Sequence, residues 1–121
     1  AGAHAVQMGT AFLVCDESGI PPAYKLRLIN AGDTPTRLTR AFSGRYARGL
    51  ENRFMKQLED VEDQLPAYPV QNALTTPIRA AAAAKGDTEL MSLWAGAEVR
   101  RARAMPAAKL MQTLVAEMRT E

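Results

Sequence analysis

Only two stretches of this 121-residue chain have strand character, and that shortage limits every fold open to it. Residues 3–8 are small and apolar around Val6 and break at Gly9-Thr10, after which residues 11–14 resume apolar character. A short buried run ending on Gly-Thr is the pattern of a strand handing over to a helix N-terminus. Residues 36–42 set Leu38 and Phe42 among polar positions and stop at Ser43-Gly44-Arg45. Two strands cannot close a barrel or form a doubly wound sheet, and a complete eight-stranded α/β barrel takes about 250 residues, roughly twice the length present.

The rest of the chain is written in helical periods. Pro22 is suited to the first position of a helix that runs to about Asn30 and is stopped by Gly32. From Gly49 the apolar spacing becomes three and four, with Leu50, Phe54, Leu58 and Val61 drawing one stripe down a predicted helix that closes at 60–66. Residues 70–85 form the next helical stretch, through Leu74 and Ile78. Pro77 inside it predicts a kink or a fresh start with Thr76 as N-cap. Gly86-Asp87 ends that stretch and offers an N-cap for a short helix at 89–93. The last helix is predicted from Pro106, with Ala107, Leu110, Met111, Leu114, Val115 and Met118 on one side and Lys109, Gln112 and Arg119 on the other. The alanines at 80–84 are ordinary helix formers.

Charge and cysteine usage narrow the function classes. Fifteen Lys and Arg against 13 Asp and Glu leave +2, too balanced for a nucleic-acid or anionic-membrane surface. The one dense basic cluster, Arg100, Arg101 and Arg103, reads as a solvated helix face. A single cysteine, Cys15, excludes an internal disulfide and fits a reducing, cytoplasmic compartment. No apolar run approaches the roughly 20 residues that span a bilayer. The opening at Ala1, without methionine, basic region or hydrophobic stretch, predicts no secretory leader and suggests a truncated chain.

The segment best suited to chemistry is Gln7-Met8-Gly9-Thr10. Glycine admits a ligand close to the backbone because no Cβ intervenes. The amides of a strand-to-helix turn converge on an anion, and threonine adds a hydroxyl donor. In α/β barrels a cofactor phosphate often sits at the loops after the last two strands. Met8 and Gln7 would line the approach, the first with its backbone and the second with its side chain. Taken alone, the same tetrapeptide also fits a tight turn with a tied-down hydroxyl.

The stretch 38–54, LTRAFSGRYARGLENRF, resembles the bacterial nitronate monooxygenases, also called 2-nitropropane dioxygenases. Other pieces follow in that family's order: Gly2-Ala3, then Val6-Gln7-Met8-Gly9-Thr10-Ala11-Phe12, Tyr68-Pro69-Val70-Gln71, Leu74-Thr75, Gly86-Asp87, and Leu93-Trp94-Ala95-Gly96. The resemblance covers essentially the whole chain. It implies the C-terminal part of an FMN-binding α/β barrel enzyme: residues 1–32 as the last barrel strand and helix with the phosphate loop, and residues 33–121 as an appended helical and small-sheet domain. It implies that Gln7, Met8, Gly9 and Thr10 hold the FMN phosphate, and that the chemistry is oxidation of alkyl nitronates by O₂ through the flavin. The family's catalytic histidine lies upstream of the matched stretch. His4 falls at a strand position before the phosphate loop and is expected only to make a local hydrogen bond. Ala97 stands where the family usually has glutamine, in a loop expected to reach the flavin end of the pocket, which leaves substrate preference open.

Two other assignments remain beside this one. An FMN-dependent NAD(P)H:quinone reductase or enoyl reductase on the same barrel would carry the same phosphate grip. A non-enzymatic helical interaction module would rest on the amphipathic stretches 50–61 and 106–118. Tyr24, Tyr46 and Tyr68 read as packing residues, Cys15 as a buried thiol, and Arg40, Arg45 and Arg48 as partners of Glu51 or of solvent. No catalytic residue and no metal ligand is assigned. The chain by itself is expected to bind flavin weakly or not at all, to show no turnover, and to aggregate through exposed apolar faces.

Overall fold

A computed structural model describes residues 2–118. Among them are five α-helices, α1 (Thr10–Leu13), α2 (Pro22–Ile29), α3 (Arg53–Gln57), α4 (Val70–Lys85) and α5 (Ala107–Met118). Two strands, β1 (Thr36–Thr39) and β2 (Ala47–Leu50), and 3-10 helices at Glu59–Gln64 and Val99–Arg101 complete the set. The strands form an antiparallel pair with Thr36 opposite Leu50 and Thr39 opposite Ala47. Arg119 of the predicted last helix lies outside the described residues.

The predicted strand at 3–8 does not form. These residues are exposed and irregular, and Val6 is 73% exposed. A strand exists only through a ladder, and no described residue pairs with this segment. The second strand instead comes from Ala47–Leu50, which the sequence placed in a turn and the start of a helix. Leu50 is fully buried at the end of β2 rather than on a helical face, and its N–H donates to the Leu93 carbonyl at 2.8 Å.

The helix predicted at 50–61 is therefore shorter. Asn52 caps it, accepting from the Met55 N–H at 3.3 Å, so α3 begins at Arg53. It gives way at Leu58 to the 3-10 helix, and Val61 ends up exposed. The helix predicted at 89–93 is absent because its carbonyls are taken by other partners. Glu89 O accepts from Phe54 N–H, and Thr88 O and Met91 O accept from the Asn52 amide. Asp87 still accepts from the Glu89 N–H at 3.0 Å, as a turn rather than a cap. α4 continues through Pro77 without a fresh start, and Thr76 is no N-cap, because its hydroxyl donates back to the Asn72 carbonyl at 2.6 Å. Gly86, at φ 67°, ends α4 in the left-handed conformation that glycine adopts without strain.

Two apolar clusters hold these elements together. The larger joins Val14, just past α1, and Tyr24 and Leu28 of α2 to Leu50, Ala82 and Leu93. The smaller packs Phe42 against Phe54, rings stacked at 4.6 Å, with Trp94 edge-on to Phe42 at 5.5 Å. Gly44, at φ 84°, lets the chain pass close to residues 66–68, whose backbone a Cβ there would strike.

Candidate functional site

Gly9 opens α1 as its N-cap without any side-chain cap, and Gln7, Met8 and Gly9 are exposed. Among the described residues, no backbone N–H of residues 7–10 donates to another group. The Gly9 Cβ direction is open, with no heavy atom within 4 Å. Among the described residues, no neighbour requires glycine there.

Thr10 is half-buried, and its Oγ1 accepts a 2.8 Å hydrogen bond from the Gly96 N–H, 86 residues away. The 94–97 loop is fixed at two further points. The Trp94 carbonyl accepts from the Tyr24 hydroxyl at 2.6 Å, and the Ala95 N–H donates to the Arg48 carbonyl at 3.1 Å. Burial pushes the Tyr24 phenol up to about 12, so it stays protonated and keeps donating. Ala97 itself is exposed.

A groove of about 670 Å³ runs from Met8, Gly9 and Thr10 past Gly96 to Leu110 and Leu114 of α5. Arg101 and Arg103 lie along it. Arg103 is held by a bidentate pair with Glu117, at 2.6 and 3.1 Å. α5 closes the groove's far side, and its first N–H, on Ala107, donates to Glu17 Oε2 at 2.9 Å. That bond holds the Glu17 carboxyl below its ordinary range. The loop between α1 and α2 is tied by Lys25, whose Nζ donates to the Cys15 carbonyl at 2.7 Å and the Ser18 carbonyl at 3.3 Å. Burial, followed by the negative charges of Glu17 and Asp16, raises the Cys15 thiol and keeps it protonated.

The structure thus places all four predicted residues, Gln7 to Thr10, at one accessible turn. It adds Gly96, Tyr24 and Glu17, whose roles depend on contacts 70 to 90 residues apart and leave no local trace in the sequence. Other expectations are corrected. His4 is exposed and makes no hydrogen bond with the described residues, since it lies on no strand. Of Arg40, Arg45 and Arg48, Arg45 is exposed as expected, and none of the three pairs with Glu51, which is held by Arg37 and Lys56. Arg40 donates to the Leu65 carbonyl, Arg48 to Thr36, and Arg45 stacks over the Tyr68 ring at 4.7 Å. No group of His, Cys, Asp and Glu suited to a metal occurs among the described residues. Nor does any described helix have the length and apolar character to cross a membrane.

The family model described as nitronate monooxygenase matches residues 1–117. The chain belongs to the nitronate monooxygenase family. A probable nitronate monooxygenase from Staphylococcus aureus (strain Newman) is 44% identical over 114 residues, covering 94% of this chain and 32% of that protein. Among solved structures, nitroalkane oxidase from Streptomyces ansochromogenes superposes with a TM-score of 0.88 at 48% identity, over 96% of this chain and 33% of that one. FabK from Thermotoga maritima superposes at 0.77 and 28% identity, over 98% of this chain and 38% of that one. The chain therefore has an α/β fold similar to about a third of each of these proteins, and it spans about a third of the length of the curated nitronate monooxygenase relatives it matches.

Proposed function

We propose that this chain supplies the FMN phosphate grip of a flavin-dependent oxidoreductase that oxidises alkyl nitronates with O₂, with Gln7, Met8, Gly9 and Thr10 as the gripping residues. The observation that carries the proposal is the turn at 7–10, whose four backbone N–H groups meet no partner among the described residues and border the 670 Å³ groove. Free amides at such a turn suit an anion, and the open space at Gly9 admits one close to the backbone. The Thr10 hydroxyl proton remains available as a donor, because its oxygen accepts from Gly96. These features fit a phosphate monoester. The flavin supplies the redox chemistry when bound; the chain's residues anchor and orient it.

Residues 1–32 are proposed as the closing part of an α/β barrel and residues 33–121 as the appended portion. No group described here is proposed as the catalytic base. The test is made in a polypeptide of the relatives' length that contains this stretch. Thr10→Val there weakens FMN affinity by about 1.5–3 kcal/mol if the hydroxyl meets the phosphate, measured by flavin fluorescence. Unchanged affinity removes Thr10 from the site.

A second reading is kept because the likeness to FabK shows that this portion of fold is not confined to proteins named for nitronates or nitroalkanes. A quinone or enoyl reductase would use the same grip. Oxygen consumption with propyl nitronate and no nicotinamide supports the monooxygenase. NADH-driven quinone reduction without nitronate turnover supports the reductase.

A further inference from the structure

The 94–97 loop is anchored to three elements at once: to α2 through the Tyr24 hydroxyl, to β2 through the Arg48 carbonyl, and to α1 through Thr10. Of these anchors, only Thr10 also borders the groove at the phosphate loop. We infer that Thr10 is a positioning residue, a latch whose oxygen holds Gly96 and the 94–97 loop while its proton is left to the ligand. The inference rests on the proposed phosphate grip and adds to it that the grip and this loop share one atom.

The chemistry follows from what a hydroxyl can do. It has one proton to donate and lone pairs to accept. The Gly96 N–H can only donate, so the bond uses a lone pair and turns the Thr10 proton away from Gly96. With that lone pair taken, the proton points away from Gly96 and is free to turn toward an anion at the 7–10 turn. A Cβ at Gly96 would stand 3.5 Å from Thr10 Oγ1, at ordinary contact, so the two residues are neighbours without glycine being required there. The coupling between the two is the 2.8 Å hydrogen bond itself.

Trp94 makes the loop visible, because it is the chain's single tryptophan and packs edge-on against Phe42. The experiment compares Trp94 emission and acrylamide quenching in the full chain and its Thr10→Val and Thr10→Ser variants, without ligand. Thr10→Val is expected to red-shift the emission and increase quenching; Thr10→Ser, which keeps the hydroxyl, is expected to match the parent. An unaltered Trp94 in Thr10→Val overturns the latch, and so does an equal change in both variants, which would assign the effect to the lost methyl or to shape. Should circular dichroism show Thr10→Val unfolded, Thr10→Ala, with its high helix propensity, makes the same comparison. A separate titration with FMN keeps the two ideas apart. Absence of FMN binding by the parent sequence in a polypeptide of the relatives' length counts against the phosphate grip, whereas the ligand-free Trp94 data alone decide the latch.

Discussion

At the scale of single residues, stability depends on a few buried polar groups that replace regular structure. Asn52 is the clearest case. It is buried, it caps α3 with its oxygen, and its amide nitrogen donates to the Thr88 and Met91 carbonyls at 2.9 and 2.7 Å. Asn52→Ala strands two carbonyls and a helix N–H together, so a loss of about 2–4 kcal/mol is expected in urea unfolding. A loss below 1 kcal/mol, the size of an ordinary exposed cap, would mean that water replaces these bonds. The residues at the candidate site divide by how far their partners lie along the chain. The turn at Gln7 to Thr10 was legible because Gly9-Thr10 marks the start of a helix locally, while its role toward a phosphate is a proposal. Tyr24 and Gly96 were not, because their partners stand 70 and 86 residues away and neither residue type announces such a bond.

At the scale of elements, apolar period located helices but not what they bury. The stripe Val70, Leu74, Ile78 that identifies α4 faces outward, while Gln71 and Thr75 face in and bond the Ala41 and Phe42 carbonyls. Leu50 kept its predicted burial but belongs to β2, since a short strand and the first turn of a helix look alike over four residues. The end of α4 at Gly86 was readable because a left-handed cap favours glycine locally. α5 adds a pH dependence. It is tied by Glu17 at its first turn and by Glu117 near its last, and both carboxyls lie below the ordinary 4.5, the first through the Ala107 N–H and the second through Arg103. A carboxyl depressed in the folded state stabilises fully above its unfolded value and loses that contribution as pH falls through the folded value. Docking of α5 is therefore constant at neutral pH and weakens below 4.5. Circular dichroism at the helix band on acidification should show this, with a shallower response in Glu17→Gln. The same response in that variant would shift the dependence to other carboxylates.

At the scale of the molecule, the balance of surfaces decides solution behaviour. Large apolar side chains stand exposed in rows on three helices: Leu26 and Ile29 on α2, Val70, Leu74 and Ile78 on α4, and Met111, Val115 and Met118 on α5. Rows of this kind form contiguous patches of the sort that monomers seldom leave in water. The net charge of +2 offers little repulsion to keep copies apart. The described chain is thus expected to self-associate with rising concentration, which sedimentation velocity would register as a shift to larger species. Leu74→Lys with Ile78→Lys removes the middle of the α4 row without touching Gln71 or Thr75, which hold that helix to the core. Because both positions are exposed, unfolding free energy should change by no more than about 0.5 kcal/mol each, while association falls. Association that persists at full strength in this double variant would place the sticky surface on α2 or α5, and a parent chain that stays monomeric throughout would show that these rows are too narrow to drive contact.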